Sequence, residues 1–165
     1  MLEIKLATKA DINLIRDLAL IVFPATYKNI LSQEQIEYML DWMYSPESLA
    51  EQFNKGHIYH IAFFDKIPCG YTSVEQQEID LWHLQKIYLL PEFQGKGIGK
   101  KLFENAINYI KTISPNAKRI ELNVNRHNSA KKFYEKMSMT IAKSGDFPIG
   151  NGYYMNDYIM QLEIR

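Results

Sequence analysis

The spacing of apolar positions divides the chain into short strands and amphipathic helices. Leu2, Ile4 and Leu6 alternate with polar residues and predict a strand. Thr8 followed by Asp11 reads as the cap of a helix near Ala10 to Phe23, with Ile12, Ile15, Ala19 and Val22 at helical spacing and Pro24 as its stop. Ser32 caps a second helix, whose Ile36, Met39, Leu40 and Met43 share one face while Glu34, Glu37 and Asp41 share another. Pro46 opens a third helix that ends by Gly56. The character then changes to β. Ile58 to Phe64, a turn at Asp65-Lys66 and Ile67 to Val74 form an antiparallel meander, and His83 to Leu89 follows after a polar break. A helix carrying Leu102, Phe103, Ala106, Ile107 and Ile110 comes next, then the alternating strand Arg119 to Val124. Asn128 or Ser129 caps a last helix through Ala130, Phe133, Tyr134 and Met137, and strands near Thr140 to Lys143 and Tyr153 to Glu163 close the chain.

At 165 residues and 47% hydrophobic content, this amounts to one domain, residues 1–165, with a substantial core. The single cysteine, Cys69, excludes an intrachain disulfide, and no Cys/His cluster offers a metal site. A reducing, cytoplasmic setting is expected, since the N-terminus breaks too soon for a signal segment and nothing reaches the roughly 20 apolar residues of a membrane span. Net charge is zero but unevenly placed. Residues 1–92 hold 7 Lys+Arg against 13 Asp+Glu, and residues 93–165 hold 12 against 6. Such polarity suits one anionic and one cationic ligand, although surface charge also segregates without purpose.

The chemistry concentrates between strand and helix, in PEFQGKGIGKKL. Gly95, Gly97 and Gly99 let backbone N–H groups converge on an anion at the positive end of a helix dipole, and Lys96, Lys100 and Lys101 add charge suited to phosphate. Taken alone, these glycines also fit a simple tight turn. The spacing is neither GxGxxG nor GxxxxGK[ST], so dinucleotide and P-loop motifs are excluded.

QGKGIG, preceded by LQKIYL, resembles the (Gln/Arg)-x-x-Gly-x-(Gly/Ala) signature of the GNAT superfamily of acyl-CoA N-acyltransferases. ELNVNRHNSAKKFYEKMSM resembles that family's next strand and helix, with Ser138 and Met139 in place of the usual Gly-Phe. The order of elements agrees along essentially the whole chain, and within the superfamily LxKIYLxPxFQGKGIGK looks most like the bacterial spermidine/spermine acetyltransferase branch. The resemblance implies an α/β fold with a mixed, mostly antiparallel sheet, splayed in the middle and flanked by helices, with acetyl-CoA as co-substrate and no metal. It implies that N–H groups from Gln94, Gly95, Lys96, Gly97, Ile98, Gly99 and Lys100 hold the pyrophosphate. Ile87, Tyr88 and Leu89 would lie along the pantetheine, with an N–H near Leu89 polarising the thioester carbonyl. Asn128, with His127 also fitting that position, and Phe133 would complete the cofactor side, with helix capping an alternative role for Asn128. Tyr134 occupies the position from which the family's tyrosine protonates the departing thiolate. Its alternative is plain core packing.

Attack by a primary amine requires loss of a proton, since such amines, with pKa about 10, are protonated at neutral pH. Where many relatives carry Glu on the strand before the signature, this chain has His83 and Gln85 on one face. Only His83 accepts a proton near neutrality, so it is the candidate base, directly or through water, with Glu75 and Asp80 as alternatives. The acceptor side falls in the acidic half. Tyr27, Glu34, Tyr38 and Glu75 are the candidate contacts, and Glu37, Asp41 and Trp42 extend a mixture suited to a cationic amine, or to an ordinary solvated helix face.

The implied function is acetyl transfer to a small-molecule primary amine, a polyamine being the most specific version. Peptide or protein amines and a catalytically weak CoA-binding regulatory module are the alternatives. Neither nucleic acid nor membrane is expected as a partner, because the basic residues of the second half are accounted for by the phosphate loop and solvated helix faces. Tyr153, Tyr154 and Tyr158 leave a homodimer interface open beside a core role.

Overall fold

The computed structural model describes residues 1–165 and has the splayed α/β architecture that the resemblance implies. One seven-stranded sheet runs in the order β1-β2-β3-β4-β5-β7-β6. Its strands are β1 (Leu2–Leu6), β2 (Ile58–Phe64), β3 (Ile67–Gln76), β4 (Leu81–Leu89), β5 (Arg119–Asn125), β6 (Thr140–Gly150) and β7 (Tyr153–Glu163). Helices α1 (Ile12–Tyr27), α2 (Gln33–Tyr44) and α3 (Pro46–Asn54) pack on one face, and α4 (Ile98–Ile113) and α5 (Ala130–Lys136) on the other. No helix is long and apolar enough to cross a membrane.

Each face has its own core. Ile15, Ala19, Val22 and Phe23 of α1 meet Ile36 and Met39 of α2, Leu49 of α3, and Tyr59, Ile61 and Tyr71 of the sheet. On the opposite face, Phe103, Ala106 and Ile110 of α4 pack on Trp82, Leu84, Ile120, Leu122 and Val124, joined by Tyr134. The caps follow the sequence. Thr8 accepts from the Ala10 N–H in a capping box with Asp11, closing a short 3-10 turn ahead of α1, while Ser32 and Ser45 cap α2 and α3.

Three boundaries differ from the sequence expectation. Helix α1 does not stop at Pro24 but continues to Tyr27. So near the helix end the ring removes only one backbone donor, while Phe23 and Tyr27 gain ring packing at 4.6 Å and Phe23 also meets Tyr44. Strand β4 begins at Leu81 rather than His83, because β3 runs on to pair Gln76 with Trp82. Strand β6 reaches Gly150 instead of ending near Lys143. As an edge strand it tolerates Pro148, and Asn151 and Gly152, both at positive φ, form the tight hairpin turn into β7.

The sheet has a single parallel pair. Strand β4 joins β5 only through Leu81–Arg119, Trp82–Ile120 and His83–Glu121, after which the two strands part. A register shift against β3, where Val74 pairs with Leu84 but Ser73 with Lys86, leaves Gln85 as a bulged residue where the divergence begins. β4 therefore keeps β3 on one side and opens its other edge to a gap.

Gly70 opposes Leu89 in β3, and a methyl group there would lie 2.5 Å from the Tyr88 carbonyl oxygen. Gly70→Ala is expected to lower stability by about 1–3 kcal/mol through forced displacement of β4. A thermal melt checks this, with a Tm drop of roughly 2–4 °C per kcal/mol for a chain of this size.

Candidate active site

The loop after β4 is built to present amides. A 3-10 turn at Pro91–Phe93 reverses the chain, and the Gln94 side chain donates to the Leu89 carbonyl at 3.1 Å. Gly95 and Gly97 hold φ of 78° and 79°, a left-handed conformation that side chains disfavour, and Gly97 is the N-cap of α4. The first N–H groups of α4, from Ile98, Gly99 and Lys100, have no carbonyl one turn earlier to bond, so they face outward with the positive end of the dipole.

This loop forms one end of a cavity of about 670 Å³ in the gap beside β4. Ile87, Tyr88, Leu89, Gln94, Gly95, Gly97, Gly99, Lys100, Asn128, Phe133 and Tyr134, all predicted cofactor-side residues, line it together. Two others stand apart. Lys96 lies over the Phe64 and Phe93 rings, and the Ile98 side chain is buried in a small core with Ala62, Cys69 and Leu102. Asn128, one residue before the Ser129 N-cap, accepts from the Ala130 N–H at 2.9 Å and so braces the start of α5 while also facing the cavity. Tyr134 is 7% exposed, packed against Phe103 and Phe133, and burial holds its phenol protonated well above the usual range. Its hydroxyl has no hydrogen-bond partner in the protein and is not sealed in the core. It therefore keeps its proton available to the cavity.

A second cavity, of about 710 Å³, lies on the α2–α3 face of the sheet. Tyr27, Gln85, Lys86, Tyr88 and Asn123 line both cavities, so the two adjoin across the splayed sheet, with these five residues forming the throat between them. Of the acceptor-side candidates, Tyr27 stands in this throat with its hydroxyl 3.0 Å from that of Tyr88. Glu75 sits behind the wall, bonded to Gln85 Nε2 at 2.9 Å and His57 Nε2 at 3.1 Å. Glu34 and Tyr38 line neither cavity. Glu34 occupies the first turn of α2, where a carboxylate favours the helix dipole, and the Tyr38 hydroxyl donates to the Ile149 carbonyl at 2.7 Å. Instead Asp41, Trp42, Glu47, Glu51 and Tyr154 edge the second cavity.

His83 also lines the second cavity, near the closed end of the β4–β5 gap. Burial pushes its pKa down to about 4, so it is neutral at pH 7 and a weak base. The residues that sequence reasoning passed over are Lys86, Asn123 and Asp157. Lys86 lies between Leu84 and Tyr88, and Asp157 between Met155 and Ile159. A lone charge inside an inward-facing alternation is a readable signal in both strands.

Lys86 is buried against α2 and α3 with neutral partners only. Its Nζ reaches Tyr59 Oη at 2.6 Å and Gln52 Oε1 at 3.0 Å, and lies 4.1 Å from the Tyr44 ring centroid. Burial depresses its pKa to about 7. Between pH 7 and the unfolded value near 10.5, the unfolded chain binds more protons, so Lys86 makes stability rise with pH across that window and weighs against folding most fully below it. Lys86→Met is expected to raise Tm at pH 6 and to flatten the rise between pH 7 and 10. The Tyr59–Gln52 bond at 2.5 Å survives the change, and melts across pH provide the check.

The acetyltransferase (GNAT) domain family model matches residues 27–139. An uncharacterized N-acetyltransferase of Archaeoglobus fulgidus is 40% identical over 92 residues, which are 52% of this chain and 61% of that relative. The chain thus spans less than two thirds of that protein's length. A 5-NmdU N-acetyltransferase of Pseudomonas phage PaMx11 is 30% identical over 125 residues, 72% of this chain and 84% of the relative. Among solved structures, the PaiA N-acetyltransferase of Thermoplasma acidophilum in complex with coenzyme A superposes with a TM-score of 0.81 at 27% identity, covering 99% of each chain.

Proposed function

The chain belongs to the acetyltransferase (GNAT) family, and on that premise we propose that it moves an acetyl group from acetyl-CoA directly to a primary amine of a small cationic molecule, a polyamine being the most specific version. The observation that carries this reading is the throat, where a cavity below the glycine loop meets an acid-edged cavity on the other face of the sheet. Acceptor and acyl donor approach from opposite faces.

The residues present suit the cofactor. The unpaired amides of Ile98, Gly99 and Lys100, with the Lys100 side chain, offer a site for pyrophosphate, and the open edge of β4 from Ile87 to Leu89 offers main-chain partners to an extended amide-bearing arm. Acetyl-CoA supplies the acyl group already activated as a thioester. Tyr134 donates its phenolic proton to the departing sulfur, a role supported by its unpaired hydroxyl within the cofactor-side cavity.

On the acceptor side, Asp41 and Glu47 give the cavity mouth a negative field, Glu51 being paired with Lys55 at 2.9 Å, and the exposed rings of Trp42 and Tyr154 offer cation-π faces to a distal ammonium. A multiply charged linear amine matches both features. His83, neutral above about pH 4, adds no positive charge to the cavity that would repel a cationic acceptor.

The test is thiol release from acetyl-CoA across polyamines, amino acids, aminoglycosides and short peptides. Amine-dependent release ranked with polyamines first is expected. Tight acetyl-CoA binding without release for any amine would mark a CoA-binding regulatory module instead. Tyr134→Phe is expected to lower kcat by about 100-fold while acetyl-CoA affinity stays within about twofold. An equal loss of both would assign Tyr134 to packing.

A further inference from the structure

One polar residue and one polar pair at the acceptor cavity are already engaged. Lys86 is held by α2 and α3, and His57 and Glu75 form a pair in the wall. Asp157 differs from both. At 2% exposure it is the protein's only buried carboxylate, and it lines the acceptor cavity from the middle of β7. Its one side-chain hydrogen bond comes from Asn123 Nδ2 to Oδ2 at 3.2 Å, and Asn123 is a throat residue. Oδ1 has no partner within the chain and is not sealed from the cavity.

The nearest guanidinium is committed elsewhere. Arg126 donates to Asp146 Oδ1 at 2.6 Å, Ser144 Oγ at 3.0 Å and the Gly145 carbonyl at 3.0 Å, and touches only the main-chain oxygen of Asp157, at 3.5 Å. A buried carboxylate without a counter-ion is unfavourable unless a ligand supplies the positive charge. Its height in the gap matters too. Asp157 pairs with Asn125, four residues beyond the Glu121 that pairs with His83, so it stands about 13 Å along the strand from the closed end.

Resting on acyl transfer to an amine as proposed above, we infer that Asp157 is a further catalytic residue, receiving the acceptor's ammonium at the throat and taking its proton as the nitrogen attacks. One N–H bond breaks toward Oδ1, and the freed lone pair forms the C–N bond at the thioester carbonyl. The C–S bond breaks, and the sulfur keeps the electron pair and gains a proton from Tyr134. The second proton lost by the nitrogen restores the tyrosine through water, and Asp157 returns its own to solvent. One ammonium and one thioester become one amide, one thiol and one released proton.

The electrostatics agree with this placement. Burial raises the Asp157 carboxyl above its ordinary 3.8, opposed by the Asn123 hydrogen bond and the Arg126 charge. The titratable and charged groups turned toward it are Tyr27 from α1, Arg126 after β5 and, paired with that arginine, Asp146 from β6.

The experiment is calorimetric titration of spermidine into CoA-saturated protein, with thiol-release turnover alongside. Asp157→Asn is expected to bind spermidine at least about 30-fold more weakly, with CoA affinity within about twofold. Wild-type spermidine binding weakens as pH falls and the carboxylate protonates. Asn123→Ala removes a donor to the ionised form, so the weakening shifts to higher pH, a shift that a merely structural role would not produce and one that holds even if Asp157→Asn fails to fold. Unchanged spermidine affinity in Asp157→Asn, or an unmoved pH dependence in Asn123→Ala, overturns the assignment. If wild type turns over amines and Asp157→Asn matches it, the role of Asp157 alone falls. If wild type neither binds spermidine nor releases thiol with any amine, acyl transfer to amines falls with it.

Discussion

The three-residue length of the β4–β5 parallel pairing is the constraint from which the site follows. Had the ladder continued past His83 and Glu121, the sheet would be closed, with no gap beside β4 and no passage between its faces. The pairing ends where Gln85 is bulged out of register with β3, and beyond that point β4 keeps its hydrogen bonds to β3 alone. Strand β5 turns toward β7 and remains fully paired with it from Arg119 to Asn125. Each wing of the sheet is thus hydrogen-bonded within itself, while the α1–α3 core and the α4 core cover opposite faces. The gap is held open because each strand is better satisfied by its outer neighbour.

Desolvation then sets the chemistry of what lines the throat. Lys86, His83 and Tyr134 are all pushed toward their neutral forms, and the Asp157 carboxyl is raised as well. A lysine shifted toward its neutral form repels a cationic acceptor less, a protonated tyrosine keeps a proton to give, and a poorly compensated carboxylate gains most from meeting an ammonium. These shifts share one cause, exclusion from water, and point toward the same ligand charge.

The cofactor side was largely legible in the sequence because it depends on local backbone geometry. Gly95 and Gly97 are required at positive φ, and the N-terminus of α4 follows directly from them, so the pattern from Gln94 to Lys100 places itself. Asp65-Lys66 marks its turn for the same local reason, and Asn151-Gly152 carries an equally local signal whose recognition would have extended β6 past Lys143. The acceptor side was less legible, because Lys86, Asn123 and Asp157 come from three strands that meet only through the sheet order β4-β5-β7. Helix periodicity put Glu34 on one face with Asp41, and Tyr38 lay nearby in sequence, yet only Asp41, two turns along that face, reaches the cavity, while Tyr38 is held by the Ile149 carbonyl. Pro24 misled for a tertiary reason, since the packing of Phe23 and Tyr27 outweighs one lost backbone bond.

The open edge of β4 and the adjoining glycine loop are the proposed CoA site. Amide hydrogen exchange with and without CoA tests it most directly, because an open strand edge and unpaired helix N–H groups are where a bound ligand must leave its mark. New protection is expected in peptides covering Gln85–Leu89 and Gln94–Lys100, with β1 and β2 unchanged. CoA binding that leaves those two segments unprotected, or protects a different surface, would contradict it.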